Sequence, residues 1–280
     1  MIARDLPISN AVSCRCHAGG VTYATMTAIH HAAAQGFSAQ ADTYARGRPD
    51  YPAELAGWLR DTLGLAPGKT VVDLGAGTGK FTRLLAQGGA TVIAVEPVDA
   101  MRAQLSSKLP DVQAVAGSAE SMPLPDGSVD AVVCAQAFHW FANPAAMQEI
   151  RRVLKPGGKL GLVWNVRDES VGWVARLTAI MTPFEGDAPR FYKGDWKQVF
   201  PADGFGPLGL TRFPYTHSGA PEQVIVDRVM SVSFIASLPQ DQQDAVRAQL
   251  REVIATDPAL QGRNVVSFPY STEAYCCERR

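Results

Sequence analysis

Apolar segments of strand length alternate with segments of helical spacing between residues 70 and 163, and this alternation constrains the fold more than any other feature. The predicted strands are Thr70–Val72, Thr91–Val95, Val112–Val115, Val129–Cys134 and Leu160–Val163. Strands that are apolar along nearly their whole length belong in a parallel sheet covered by helices on both faces. The sequence therefore predicts a doubly wound α/β fold, which binds ligands at the carboxyl ends of its strands.

The pattern becomes less regular after Trp164. We expect helical insertions at about 168–207 and 221–257, a Pro156-Gly157-Gly158 turn, and two further strands at Leu208–Tyr215 and Val265–Cys277. We interpret residues 41–280 as one domain and residues 1–40 as a disordered extension. Aromatic and arginine side chains of the insertions are expected to select the ligand.

The charge of the chain is balanced, because 26 Lys and Arg oppose 27 Asp and Glu in 280 residues. A protein that binds nucleic-acid phosphates concentrates basic residues on one face, and no long basic run occurs. No apolar run has the length of a membrane span or the character of a signal peptide, and the five cysteines lack metal-ligand spacing. We expect a soluble cytoplasmic protein that binds no nucleic acid, membrane or metal.

The segment Asp73-Leu74-Gly75-Ala76-Gly77-Thr78-Gly79 joins a predicted strand to a predicted helix. Glycine permits backbone angles that a Cβ atom disfavours, and it lets the chain approach a ligand closely. Glu96 follows the next strand, where nucleoside-binding α/β folds place the carboxylate that receives a ribose diol. Together these features predict a nucleoside ligand.

The glycine spacing distinguishes between nucleoside ligands. A nicotinamide dinucleotide site would carry Gly-x-Gly-x-x-Gly, whereas this turn has Gly75-x-Gly77-x-Gly79 preceded by Asp73. An NAD(P)-dependent oxidoreductase therefore remains an alternative that the spacing disfavours.

The order hydrophobic-hydrophobic-Asp-hydrophobic-Gly-x-Gly-x-Gly resembles the first motif of the class I methyltransferases that use S-adenosyl-L-methionine (SAM), and the span from Tyr44 to about Arg167 follows that family's pattern. The resemblance implies a Rossmann-like sheet of seven mostly parallel strands, with the last strand, which contains Ser267–Tyr275, antiparallel. It also implies that SAM is bound by Asp73, Gly75, Ala76, Gly77, Glu96, Pro97, Ser118, Ala119 and Gln136, with Asp73, Gly75 and Gly77 at its methionine portion. Glu120 either contacts this ligand or caps its loop.

The segment Ala135–Phe141 resembles the small-molecule branch of the family, with proteins similar to trans-aconitate and ubiquinone-pathway methyltransferases. His139 is a candidate general base, because an imidazole titrates near neutral pH; the alternative is a packing histidine. Phe138 and Trp140 are candidate walls of the acceptor pocket. Tyr44 and Arg48 are candidate lid residues by the same resemblance, although Arg48 could instead pair with a surface carboxylate.

The resemblance implies a SAM-dependent methyltransferase that acts on a carboxylate, hydroxyl or activated carbon of a small molecule. No Asn-Pro-Pro-Tyr tetrapeptide follows the fourth strand, which disfavours methylation of nucleic-acid bases. A noncatalytic SAM-binding protein is the second alternative. A pocket filled by Phe138, Trp140 or Trp164 would favour it over an enzyme.

Overall fold

The computed structural model describes residues 47–280, so the candidate lid residue Tyr44 and the extension 1–40 lie outside the described residues. Seven strands form one sheet. They are β1 Thr70–Leu74, β2 Thr91–Val95, β3 Gln113–Val115, β4 Val129–Ala135, β5 Leu154–Arg167, β6 Gly209–Gly219 and β7 Val266–Glu278.

The strand order across the sheet is β3-β2-β1-β4-β5-β7-β6. The pairs among the first five strands are parallel, whereas β7 runs antiparallel to both of its neighbours, β5 and β6. Six strands therefore share one direction and only the last strand is reversed. This confirms the predicted doubly wound α/β fold with an antiparallel last strand.

The described helices separate and follow these strands. They are α1 Glu54–Asp61, α2 Lys80–Gln87, α3 Asp99–Lys108, α4 Pro144–Val153, α5 Gly172–Met181, α6 Arg228–Met230, α7 Ser233–Ala236 and α8 Gln240–Thr256. A π-helical stretch, Glu222–Asp227, leads into α6. Short 3-10 helices lie at Phe138–Trp140, Thr182–Phe184, Phe191–Lys193 and Asp195–Val199. None of the helices within 47–280 is long and apolar enough to cross a membrane.

Alternate residues of β4 explain why its sequence is apolar from Ala131 to Cys134. Ala131 and Val133 pack against α1 and α2 on one face of the sheet, whereas Val132 and Cys134 pack against α4 on the other. Because both faces are covered by helices, residues 131–134 are all buried, whereas Asp130 near the start of the strand is partly exposed and pairs with Lys69 and Lys155. Burial also raises the pKa of the Cys134 thiol well above its ordinary value, as befits a small core residue.

The insertions build a second core beside the sheet. Apolar residues of α5, the π-helical stretch and α8 pack together against the first residues of β7, among them Leu177, Ile225, Leu250 and Phe268. This arrangement places the segments 168–207 and 221–230 next to the carboxyl ends of β4 and β5, where they wall the candidate site.

The predicted turn at Pro156-Gly157-Gly158 is an irregularity inside a strand. The register between β4 and β5 moves from Val129 opposite Leu154 to Ala131 opposite Lys159, so the extra residues bulge out of the ladder. Gly157 has φ +75°, which suits such a bulge. The strand predicted at Leu160–Val163 is therefore only the middle of β5.

Candidate functional site

The glycine-rich turn leaves the carboxyl end of β1 in an unusual backbone conformation. Gly75, Gly77 and Gly79 all have positive φ, at +73°, +57° and +84°. The Gly75 amide donates to the Val95 carbonyl at 2.9 Å, which ties the turn to the end of β2. A Cβ atom at Gly75 would lie 2.8 Å from the Cβ of Ala137, so the turn also fits closely against the segment after β4.

Asp73 lies beneath this turn and is only 1% exposed. Its Oδ2 atom accepts a hydrogen bond from the Thr82 hydroxyl at 2.6 Å, while Oδ1 has no hydrogen-bond partner within the described residues. Burial raises the pKa of Asp73 to about 7; the Thr82 bond acts in the opposite direction and the nearby Glu96 adds to the rise. The orphaned oxygen of a buried carboxyl group is suited to a ligand that donates a hydrogen bond.

The raised pKa of Asp73 predicts how stability depends on pH. The folded protein keeps this proton up to about pH 7, whereas the unfolded chain releases it near pH 4, so the free energy of unfolding falls as pH rises between these values. At most about 4 kcal/mol is involved, at about 1.4 kcal/mol per pH unit. We expect Asp73→Asn to remove much of this fall, as measured by urea unfolding at pH 5 and pH 8. The exposed Asp61→Asn is the control, and equal slopes in all three proteins would contradict the expectation.

Glu96 lies at the end of β2 and is 5% exposed. One of its oxygens accepts a hydrogen bond from the Gly77 amide at 2.8 Å, and the other accepts one from the Val98 amide at 2.9 Å. Burial raises the pKa of Glu96, while these two amides favour the ionised form. The carboxylate thus joins the glycine-rich turn to the loop after β2.

Lys80 anchors the segment that precedes α1 over the turn. Its ammonium group donates to the Arg48 carbonyl and lies 3.5 Å from the Asp50 carboxylate. Asn165 of β5 donates to the Asp50 carbonyl at 2.8 Å. On the other side, a Cβ atom at Gly47 would lie 2.4 Å from the Asp227 carbonyl oxygen. The segment is therefore held between the sheet and the π-helical stretch.

A small cavity of about 50 Å³ lies between this segment and the turn. Five of the predicted SAM-binding residues line it, namely Asp73, Gly75, Ala76, Gly77 and Gln136, and so does the candidate lid residue Arg48. Four others, Glu96, Pro97, Ser118 and Ala119, lie outside its lining, and Ala119 packs in the core. Glu120 accepts a hydrogen bond from Asn143, the N-cap of α4, at 2.9 Å. The cavity therefore corresponds to the predicted methionine end of the site.

A larger cavity of about 110 Å³ adjoins it. Arg48, Gln136 and Arg228 line both cavities, so the two meet at these side chains. His139, Trp140 and Trp164 line the larger cavity without filling it. Phe138 does not line either cavity: it is fully buried and packs against Trp196, which corrects its prediction as an acceptor-pocket wall.

Gln136 has a strained backbone where the cavities meet. It follows β4 with φ +58° and is, among residues 47–280, the only non-glycine residue with a positive φ. Its amide donates to the Val163 carbonyl at 2.8 Å, which holds the chain in this conformation. Such strain persists where surrounding structure fixes it and is concentrated at functional sites.

His139 is held as a neutral imidazole. The Trp164 indole N–H donates to its Nδ1 atom at 3.1 Å, so the remaining proton is assigned to Nε2. Burial, followed by the guanidinium groups of Arg190 and Arg48, lowers the pKa of His139 to about 3. Because its only lone pair is already used, this arrangement argues against the predicted general base and favours a hydrogen-bond donor.

Sequence reasoning did not single out three residues of the larger cavity, Arg167, Arg190 and Arg228. They lie at the end of β5, before a 3-10 helix and in α6, so no spacing in the sequence connects them. Only the tertiary packing of the insertions brings them together. Among residues 47–280, no group of three His, Cys, Asp or Glu side chains that could hold a metal ion occurs.

Comparisons with known proteins agree with the fold and the turn. The methyltransferase domain family matches residues 72–162. A methyltransferase-like protein of Schizosaccharomyces pombe is 41% identical over 87% of this chain and 95% of its own. A demethylmenaquinone methyltransferase of Beutenbergia cavernae is 39% identical over 37% of this chain and 45% of its own. A proposed type II methyltransferase structure from Anaeromyxobacter dehalogenans has a TM-score of 0.56 at 22% identity, over 82% of this chain and 96% of that one.

Proposed function

The chain belongs to the class I SAM-dependent methyltransferases, and from this premise we propose that it methylates a small molecule bound in the larger cavity. The observation that carries the proposal is the junction of the two cavities at Arg48, Gln136 and Arg228. A donor in the smaller cavity and an acceptor in the larger one would meet there. The demethylmenaquinone methyltransferase of B. cavernae, named for a small-molecule acceptor, supports the same class of substrate.

The residues of the smaller cavity fit SAM. The orphaned Oδ1 atom of Asp73 can accept a hydrogen bond from the amino group of the methionine portion. There is also open space beside Gly77, because a Cβ atom added there would have just the Met101 sulfur, at 3.9 Å, within 4 Å among the described residues. Glu96, which lies outside the lining of this cavity, is fixed by two amides of the adjoining loops and has lone pairs left for the ribose hydroxyls. When bound, SAM supplies an electrophilic methyl group on a sulfonium.

The chain itself contributes position and exclusion of water. The anchored segment Gly47–Tyr51 and the insertion residues Arg190, Phe191 and Arg228 enclose the junction. Holding the two reactants in line is sufficient for much of the rate enhancement of such a transfer. We assign His139 a positioning role, in which Nε2–H donates to the acceptor while Trp164 holds the ring.

Calorimetric titration of the purified chain with SAM and with NAD⁺ tests the first part of this proposal. We expect saturable binding of SAM and none of the dinucleotide. Incubation with SAM and a panel of small carboxylates, alcohols and activated-carbon acids then tests the second part, with release of S-adenosylhomocysteine as the measurement.

A folded protein that binds NAD⁺ in preference to SAM would overturn the proposal. A protein that binds SAM but methylates nucleic acid or protein rather than any small molecule would overturn the acceptor class alone. The larger cavity disfavours the noncatalytic alternative, because Trp140 and Trp164 line it without filling it and Phe138 is buried in the core.

A further inference from the structure

The larger cavity has an excess of positive charge. Among the described residues, Arg48, Arg167, Arg190 and Arg228 line it, and Glu169 is the only carboxylate that does. Four guanidinium groups therefore face one carboxylate. Arginine is retained in such places because its planar N–H groups match the geometry of carboxylates and phosphates.

Arg228 is the clearest case. Arg228 is 8% exposed, and its Nε and Nη1 atoms have no hydrogen-bond partner among residues 47–280. A buried charge without a partner is strongly unfavourable, so such a group is expected to be completed by a ligand of opposite charge. Because Arg228 lines both cavities, its partner lies at or near their junction.

The charges of Arg167 and Arg190 are only weakly neutralised by carboxylates. Both residues line the larger cavity but not the smaller one. The side chain of Arg167 is 10% exposed. Its ion pair with Glu169 is 4.0 Å long, and its Nη1 atom donates to the Met181 sulfur at 3.4 Å. Burial and the guanidinium groups of Arg228 and Arg190 lower the pKa of Arg167 to about 10, which reflects the crowding of positive charge.

Arg190 shares its counterion, Glu185, with two other side chains. Its Nε atom is 3.8 Å from Glu185, whereas Lys193 pairs with the same carboxylate at 2.9 Å and the Tyr192 hydroxyl donates to it. The guanidinium of Arg190 lies 4.9 Å from the centre of the Phe234 ring, which fixes its position beside the cavity. One carboxylate is thus shared among two cations and a hydroxyl.

We propose that the acceptor is a small oxyanion with at least two negative charges, held by Arg228 at the junction and by Arg167 and Arg190 deeper in the cavity. The inference rests on the proposed function and names the chemical class of its substrate. The carboxylate of the methionine portion of SAM can offset one positive charge at the junction. It does not offset the charges of Arg167 and Arg190, which line only the larger cavity. An uncharged acceptor would leave that pair buried against an apolar surface.

The test is calorimetric titration of the full chain, saturated with S-adenosylhomocysteine, with three probes: succinate, its uncharged analogue succinamide, and inorganic diphosphate. We expect at least one dianion to bind at least about tenfold more tightly than succinamide. Tighter binding of succinate identifies carboxylates as the anionic groups, and tighter binding of diphosphate identifies phosphate. Arg167→Met should weaken the preferred anion roughly 10- to 100-fold, whereas Arg212→Met, on the surface beside Glu273, should not change its affinity.

A second measurement separates binding from a structural role. Because the Nε and Nη1 atoms of Arg228 are buried and have no partner in the described part of the chain, Arg228→Met should raise the melting temperature of the ligand-free protein by about 2 °C or more while weakening anion binding. Equal affinity for succinamide and the dianions, or unchanged affinity in Arg167→Met, would overturn the inference. So would a lower melting temperature in Arg228→Met with unchanged anion affinity. Failure to bind S-adenosylhomocysteine would instead reject the proposed function, and the anions would then be titrated without it.

Discussion

Glu96→Gln is expected to weaken SAM binding by about 100-fold, or roughly 3 kcal/mol. Both oxygens of the Glu96 carboxylate accept hydrogen bonds from backbone amides, so a glutamine must place its NH₂ group against either the Gly77 or the Val98 N–H. The site is 5% exposed, and water cannot relieve this opposition of two donors. Calorimetric titration with SAM measures the loss.

Glu120→Gln provides a matched control. In the described part of the chain, one oxygen of Glu120 accepts a hydrogen bond, from the Asn143 side chain, so glutamine can keep the contact through its own oxygen. We expect its SAM affinity to change less than about threefold. Full SAM affinity in Glu96→Gln, with circular dichroism unchanged, would show that Glu96 neither shapes the turn nor receives the ribose.

The parts of the site that lie on the strand ends could be predicted from the sequence. Thr91–Val95 is both the predicted strand and the observed β2, and the Asp73–Gly79 turn lies where the strand-to-helix pattern places it. These features depend on local backbone geometry and on apolar periodicity, which neighbouring residues determine. Parallel pairing then brings the ends of β1 and β2 together, so the hydrogen bond from the Gly75 amide to the Val95 carbonyl follows from the strand order alone.

The acceptor side could not be predicted in the same way, because long-range packing determines it. Arg167, Arg190 and Arg228 come from separate elements, and their meeting depends on how the insertions pack onto β7. The side-chain directions of Phe138 and His139 also depend on the tertiary structure. Both residues lie in one 3-10 helix, but Phe138 packs in the core against Trp196, whereas His139 accepts a hydrogen bond from Trp164. Spacing alone does not distinguish these two directions.

The two cavities are lined mostly by different segments of the chain. The smaller cavity is lined mostly by the segment 48–51 and by residues 73–81 at the end of β1, in the turn and in α2, whereas the larger cavity is lined mostly by the segments 164–169, 190–192 and 228–233. Substitutions in the insertions can therefore alter the acceptor without disturbing the turn. The junction residues are the exception, since Gln136 and Arg228 contact both cavities.

Gly75→Ala is expected to destabilise the protein by about 4 kcal/mol and to weaken SAM binding at least about tenfold. The new Cβ atom would require a non-glycine residue at φ +73° and would lie 2.8 Å from the Ala137 Cβ. Relief of that contact must shift either the turn or the segment after β4, which includes the junction residue Gln136. Urea unfolding and calorimetric titration with SAM measure the two effects.

Gly64→Ala separates backbone strain from the steric clash. Gly64 has nearly the same φ, +71°, but an added Cβ atom there would meet nothing within 4 Å. The cost of the left-handed conformation, about 1 to 2 kcal/mol, should therefore appear in both variants, and only Gly75→Ala should lose more and bind SAM weakly. Equal destabilisation of the two variants with normal SAM affinity would mean that the close fit of the turn against Ala137 has no part in shaping the site.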